Sequence, residues 1–308
     1  MTEIHLSDRG PHEPFEHAPG MVVVPLRTPT LPPATHTNCV LLGHGEVIVV
    51  DPASPYSEEQ DRLLQVIEDR HLKVQAIWLT HHHADHVGGV ESLRKSLDVP
   101  VCAHRATCDR LMGTLPVDCE LYAGDVESPG GLDVEVVHTP GHARGHLAFR
   151  DVVGRRLVAG DLVAGQGTIV IDPPEGDMAD YLVTLARLIQ EGVSSIIPSH
   201  GPAIVEGEAL LLSYIAHRQS REEEVMAMLQ LRGERGAYPI DLVPAIYPEV
   251  PTLFHALAAR QVLAHLLKLE NEGRVARIGG GTGVPGQPVY MPTRSVPASS
   301  EVAFRVLD

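Results

Sequence analysis

Apolar positions along the first two thirds of the chain follow two alternating patterns. Short runs rich in valine, isoleucine and leucine predict strands, and longer segments with apolar residues three and four positions apart predict helices. Strands are predicted at 21–24, 37–42, 46–50, 76–79, 99–103, 132–137, 146–150, 156–159 and 195–198, and helices at 56–70, after Gly88-Gly89, and at 178–190. Strands and helices that alternate in this way predict a layered α/β domain.

The pattern changes after Gly201, where long helical segments replace the strands. Helices are predicted at 208–231, 241–246 and 252–272, and a hairpin is predicted from 274–278 and 288–290 around the glycine-rich turn 279–286. Three helices followed by a hairpin are typical of a winged helix. We therefore predict three parts, namely an N-terminal arm at 1–20, an α/β domain at 21–212 and a winged-helix-like domain at 213–308.

The composition is that of a folded, soluble protein. The chain has 308 residues, of which 44% are hydrophobic and 21% charged, and both fractions are close to those of average globular domains. No run of residues is long and apolar enough to span a bilayer, and residues 1–20 lack the apolar stretch of a secretory signal. We predict a cytoplasmic protein without a membrane partner, whose four cysteines, Cys39, Cys102, Cys108 and Cys119, are reduced thiols.

The charge of the chain is distributed unevenly. The net charge is −16, and residues 213–308 contain ten basic and ten acidic side chains, so the whole net charge belongs to residues 1–212. Nucleic-acid binding relies on clustered cations. This distribution argues against a broad nucleic-acid surface and leaves only a local basic groove open.

Histidine is unusually frequent, with 18 residues, and four of these lie in one short segment. Residues 80–86, with the sequence THHHADH, follow a predicted buried strand and precede a predicted helix. Alternate residues of an extended segment point the same way, so His81 and His83 can hold one metal ion while His82 points elsewhere. Asp85, at the start of the helix, can bind a second ion or handle a proton.

The pattern His-x-His-x-Asp-His resembles the signature of the metallo-β-lactamase fold, which implies further ligands at the ends of later strands. Three later segments match the family pattern, and these are 139–142 (TPGH), 159–161 (AGD) and 198–201 (PSHG). The resemblance implies an αββα metallo-β-lactamase sandwich followed by a C-terminal winged-helix-like domain, and it covers about residues 22–290.

The same resemblance implies the ligands of two metal ions. The first ion would be held by His81, His83 and His142. The second would be held by Asp85, His86 and His200, and Asp161 would bridge the two ions. Asp51, at a strand end upstream, would have a structural role near the site. His82 and His146 lie within the motifs but off the ligand positions, and both are predicted to be pocket wall or core.

Two metal ions held in this way are typical of metal-assisted hydrolysis. Ions about 3.5–4 Å apart share a hydroxide, because metal-bound water has its pKa lowered to about 7. Asp85 is the expected catalytic residue, which orients the hydroxide and passes its proton on. Two zinc ions are the expected cofactors, and iron or manganese also occupy sites of this type.

The C-terminal sequence resembles the lactamase-beta-like hydrolases that append a winged helix. That group includes an endoribonuclease of single-stranded RNA, and relatives with the same architecture include thioesterases that release acyl chains from carrier proteins. The candidate recognition helix at 252–272 offers only Arg260 and Lys268 among many leucines, and aromatic residues make up only 4% of the chain.

These features favour a small acyl substrate, an ester or thioester, over RNA. Endoribonuclease activity on single-stranded RNA stays the alternative, and a non-catalytic sensor or scaffold stabilised by metal is a third hypothesis. The apolar C-terminal helices are compatible with a homodimer.

Overall fold

The computed structural model describes residues 12–165, 167–278 and 302–307. Its largest sheet has seven strands, which follow one another in chain order. These strands are β1 (Phe15–Ala18), β2 (Met21–Arg27), β3 (His36–His44), β4 (Glu46–Val50), β5 (Lys73–Trp78), β6 (Val101–Ala103) and β7 (Cys119–Glu120). The first four pair antiparallel, and β4 to β7 pair parallel.

A second sheet has five strands in the order β12-β11-β10-β9-β8. Its strands are β8 (Val126–Glu127), β9 (Val134–His138), β10 (Leu147–Asp151), β11 (Arg156–Gly160) and β12 (Ser195–Pro198). Only β11 and β12 pair in parallel, so their carboxyl ends lie at the same edge of the sheet.

Strands β2, β3, β4 and β6 of the large sheet are buried on both faces, as their largely apolar sequences predict. Alternate residues belong to two separate cores. Val23 and Trp78 pack with Val136 and Phe149 of the second sheet, and the rings of Trp78 and Phe149 lie 5.0 Å apart. On the opposite face, Val22 and neighbouring apolar residues pack with the first helices. A helical layer, the large sheet and the second sheet therefore stack in that order.

The helices of the α/β part fill the connections between strands. They are α1 (Ser57–Asp69), α2 (Ala84–Val87), α3 (Val90–Leu97), α4 (Arg105–Leu111) and α5 (Met178–Glu191). Predicted and observed helices and strands differ by a few residues at their ends. The short helix α4 and the strands β1, β7 and β8 were not predicted, and β1 lies within the predicted N-terminal arm.

The described residues of the C-terminal part form three α-helices, short 3-10 turns and a two-stranded sheet. Its elements are α6 (Gly207–Arg232), α7 (Pro239–Ile246), α8 (His255–Asn271), β13 (Val275–Ile278) and β14 (Ala303–Val306). Apolar residues of α6, α7 and α8 form one core with Val275 and Phe304. β13 pairs antiparallel with β14, a strand that was not predicted, and the predicted pairing of 274–278 with 288–290 stays a prediction. Residues 279–286 and 288–290 lie outside the described residues.

The chain divides into two compact units by the packing of its backbone. The first unit comprises Met1–Thr139, Gly145–Ile169 and Leu188–Leu210, and the second comprises Pro140–Arg144, Val170–Arg187 and Leu211–Asp308. The three-part division at residues 20 and 212 stays a prediction.

The cysteines differ from the prediction. Cys102 and Cys119 form a disulfide, so the expectation of four reduced thiols is wrong for these two residues. They face each other across the neighbouring strands β6 and β7, a register that the sequence spacing alone does not reveal. Cys39 and Cys108 are free thiols. Among the described residues, no helix is both long and apolar enough to cross a membrane.

Candidate metal centre

The histidine-rich segment forms a loop between β5 and α2, at the carboxyl end of a buried strand. His81 and His86 are fully buried, and His83 and Asp85 are half-buried. His81 Nε2 lies 2.9 Å from His83 Nδ1, so these two rings present nitrogen atoms to the same space. His82 is half-buried beside them, with its ring 4.7 Å from that of His83.

The glycines that end this segment permit a close approach of backbone. A Cβ atom on Gly89 would lie 2.5 Å from the carbonyl oxygen of Pro52, and the amide of Gly89 donates a hydrogen bond to the same oxygen. The loop after β4 therefore packs directly against the start of α3. A side chain at this position would push the two segments apart.

Asp51 follows β4 directly and holds the histidine loop through three hydrogen bonds. Its carboxylate accepts from the amide and the hydroxyl of Thr80, at 2.8 and 2.6 Å, and from His86 Nδ1 at 2.8 Å. Burial lowers the pKa of His86, but the carboxylates of Asp161 and Asp51 outweigh it and raise that pKa well above its usual value. A carboxylate that accepts from Nδ1 leaves Nε2 of the ring directed at a metal position.

Two further candidate ligands follow the parallel strands β11 and β12. Asp161 Oδ1 lies 3.4 Å from His86 Nε2 and 3.4 Å from His200 Nε2. His200 Nε2 is also 3.6 Å from Asp85 Oδ2, while its Nδ1 donates to the carbonyl oxygen of His36 at 3.0 Å. Asp161 and His200 are both buried.

These side chains form two groups of potential metal ligands. Asp85, His86 and His200 place one ligand atom each within 4.8 Å of one another, and so do His81, His83 and Asp161. All six residues belong to the first compact unit. These six residues, which the sequence pattern identified, therefore lie close together at one edge of the two sheets.

His142 belongs to the second compact unit. It is buried, and its Nδ1 donates to the carbonyl oxygen of Val170 at 2.7 Å. As in His200, a carbonyl acceptor fixes the proton on Nδ1 and leaves Nε2 as the potential ligand atom.

The chemistry of the donor set fits a metal ion. His86 Nε2 is fully buried, and no atom of the described residues offers it a hydrogen bond of acceptable geometry. A buried ring nitrogen of this kind is costly unless it is bound. Imidazole nitrogens mixed with carboxylate oxygens suit zinc, iron and manganese. The arrangement can therefore bind metal and act on a polar substrate.

Sequence reasoning missed how the loop of His200 is held. Asn38, in β3 of the large sheet, donates from Nδ2 to the carbonyl oxygens of Pro198 and Gly201, at 2.8 and 2.9 Å. Its backbone amide donates to the carbonyl oxygen of Ser199 at 2.7 Å. Its place next to Thr37 in a buried strand gave no signal of this role.

Comparison with known families agrees with the geometry. Residues 32–200 match the metallo-beta-lactamase superfamily, and residues 239–283 match the beta-lactamase associated winged helix domain. The chain belongs to the metallo-beta-lactamase superfamily, carries this winged helix domain and is a hydrolase. The fold and family expected from the His-x-His-x-Asp-His pattern are confirmed.

Individual relatives cover most of the chain. A protein of Drosophila melanogaster named beta-lactamase-like protein 2 homolog is 31% identical over 249 residues, which are 78% of this chain and 84% of that protein. An atrochrysone carboxyl ACP thioesterase of Aspergillus chevalieri is 28% identical over 248 residues, 78% of this chain and 77% of that protein. The crystal structure of a metallo-beta-lactamase family protein from Thermus thermophilus superposes with a TM-score of 0.70 at 26% identity, covering 85% of this chain and 97% of that chain.

Proposed function

We propose that the protein is a hydrolase that uses two metal ions and cleaves an ester or thioester of a small acyl substrate. The observation that carries the proposal is the position of Asp161. Its Oδ1 lies 3.4 Å from Nε2 of both His86 and His200. Its carboxylate also belongs to the group of His81 and His83. A carboxylate of one ligand group that lies 3.4 Å from two nitrogen atoms of the other group supports a shared, bridged site.

The ligands divide between the ions as the family pattern implies. His81, His83 and His142 would hold one ion, and Asp85, His86 and His200 the other. Bound there, the ions would lower the pKa of a water toward neutrality and polarise the carbonyl oxygen under attack. Zinc is the metal we propose.

Asp85 is the residue that we propose handles the proton of the attacking water. It is a half-buried carboxylate whose Oδ2 lies 3.6 Å from His200 Nε2. It can therefore accept a proton from a water between the ligands and give it to the leaving group. Asp51 lacks this access, because it is 1% exposed and its carboxylate accepts hydrogen bonds from Thr80 and His86.

The winged-helix part supports a small acyl substrate over RNA. Both cationic side chains of α8 are engaged in ion pairs, Arg260 with Asp172 and Lys268 with Glu222. Nine other residues of this helix are buried, and six of these lie in the apolar core. A helix whose cations are neutralised and whose apolar face is buried offers few contacts to phosphates. The similarity to a thioesterase that acts on an acyl carrier protein supports the same choice.

The test compares two substrates in one buffer. Metal-loaded protein, the Asp85→Asn variant and the control Glu91→Gln, an exposed glutamate of α3 paired with Lys95, are assayed with an acyl thioester and with labelled single-stranded RNA. We expect thioester cleavage that falls by about 10²–10⁴-fold in Asp85→Asn and is unchanged in Glu91→Gln. RNA cleavage that disappears in Asp85→Asn would overturn the choice of substrate. Turnover of neither substrate would favour the sensor or scaffold.

Metal analysis after reconstitution tests the dinuclear site separately. Two ions per chain are expected, and well under one would contradict it. The cytoplasmic location and the homodimer stay predictions from the sequence.

A further inference from the structure

His146 is a fully buried histidine outside the set of expected ligands. The ring lies in the first compact unit, 5.2 Å from the ring of His81. Its Nε2 accepts a hydrogen bond from the backbone amide of Asp161 at 3.0 Å, and its Nδ1 lies 2.7 Å from the hydroxyl oxygen of Thr139. A residue predicted to be pocket wall or core thus contacts the backbone of the bridging ligand directly.

These contacts determine where the ring carries its proton. An amide can only donate, so Nε2 must be unprotonated to accept from Asp161. A neutral ring then carries its proton on Nδ1 and donates to Thr139. The hydroxyl of Thr139 in turn donates to the carbonyl oxygen of His146, at 3.4 Å. In this tautomer the Asp161 amide, His146 Nδ1 and the Thr139 hydroxyl each donate one hydrogen bond, and each has an acceptor.

The space around the ring is matched to this arrangement. Gly160 precedes Asp161 with a φ of +55°, and a Cβ atom there would lie 2.6 Å from His146 Nε2. Only glycine adopts this conformation without strain and leaves room for the imidazole. Glycine at position 160 therefore allows the ring of His146 to hydrogen-bond to the backbone of Asp161 and to fix its position.

We infer that His146 is a positioning residue for the metal centre, which holds Asp161 through a neutral imidazole protonated on Nδ1. Thr139 and His146 also border the segment that carries His142, and the Thr139 amide donates to the His146 carbonyl oxygen at 2.9 Å. His146 therefore fixes the backbone of Asp161, and its hydrogen bonds with Thr139 join the two ends of the segment that carries His142. The inference rests on the proposed function only in treating Asp161 and His142 as metal ligands.

The first experiment measures the tautomer in the unmodified, metal-free protein. Nitrogen-15 spectra of histidine rings distinguish a protonated Nδ1 from a protonated Nε2, and the ring of His146 is assigned through its own side-chain couplings. We expect the proton on Nδ1 alone. A ring protonated on Nε2, or on both nitrogens near neutral pH, would overturn the inference, because it could not accept from Asp161.

The second experiment measures metal affinity by competition with a coloured chelator. His146→Asn keeps a donor near the Nδ1 position but loses the acceptor, whereas the oxygen of His146→Gln reaches the Nε2 position. Loss of a group that orients a ligand lowers metal affinity by about 10–100-fold, and we expect this loss in His146→Asn with substantial recovery in His146→Gln. The matched control is His104→Asn, since His104 is a half-buried histidine that caps α4.

The outcomes separate a positioning role from a purely structural one. If metal-free His146→Asn melts lower but binds metal as tightly as the unmodified protein, His146 only stabilises the fold and the inference is wrong. If neither variant folds, the tautomer of the unmodified protein decides. Neither readout requires turnover, so failure of the proposed hydrolysis would not be mistaken for failure of this inference.

Discussion

Replacement of Asn38 by alanine tests how the loop of His200 is held. Asn38 is 8% exposed, and its side chain donates to two carbonyl oxygens of that loop. Alanine leaves both oxygens without this donor. An unsatisfied buried polar group costs about 1–3 kcal/mol, so the loss of a donor to two oxygens should lower the free energy of unfolding by about 2–6 kcal/mol.

The neighbouring residue provides the control. Thr37 is fully buried, and its hydroxyl lies 2.8 Å from that of Thr28. Thr37→Val keeps the shape of the side chain and removes one hydrogen bond, so it should cost about 1–3 kcal/mol. It should leave metal binding unchanged, because the hydroxyl that is removed hydrogen-bonds to Thr28.

The assay combines urea unfolding of metal-free protein with metal titration. Asn38→Ala should bind metal about 10–100-fold more weakly, since the backbone that carries His200 loses two of its hydrogen-bond donors. Equal loss of metal affinity in Asn38→Ala and Thr37→Val would show that general destabilisation is the cause. Full stability and full affinity in Asn38→Ala would refute the reasoning.

Two further predictions concern metal and pH. The thermal midpoint should fall on chelation and rise again with the concentration of free zinc, because a ligand that binds only the folded state stabilises it; a midpoint that ignores zinc would contradict the site. Burial raises the pKa of Glu222, but contacts from His265 and Lys268 prevail and lower it to about 2 from 4.5. A lowered pKa stabilises the fold above pH 4.5, and this contribution is lost as the pH falls toward 2. Between these pH values, the free energy of unfolding should fall more steeply with decreasing pH in the unmodified protein than in Glu222→Gln.

The candidate ligands could be selected from the sequence because each lies in a short local motif. A strand end followed by a turn is a local pattern, and it is sufficient to place residues such as His81 and Asp161 at the edge of a sheet. The apolar runs similarly predicted most strands, since a strand buried on both faces needs a continuous apolar sequence.

Pairings between distant segments were not predictable. The disulfide of Cys102 and Cys119 depends on the register of β6 and β7, and the strand that pairs with β13 lies beyond a long connection. Asn38 contacts residues 160 positions or more away. No local pattern carries such information, because register and loop contacts depend on how whole sheets pack.

The orientation of the ligands depends on these distant contacts as well. In three candidate ligands Nδ1 is held by an acceptor outside the ligand's own motif: Asp51 for His86, the carbonyl of His36 for His200, and the carbonyl of Val170 for His142. Each acceptor directs the opposite nitrogen, Nε2, away from the hydrogen bond. The motif therefore specifies which residues can bind metal, and the remainder of the fold specifies which nitrogen does so. Loss of an acceptor should weaken metal binding even when every motif residue is intact.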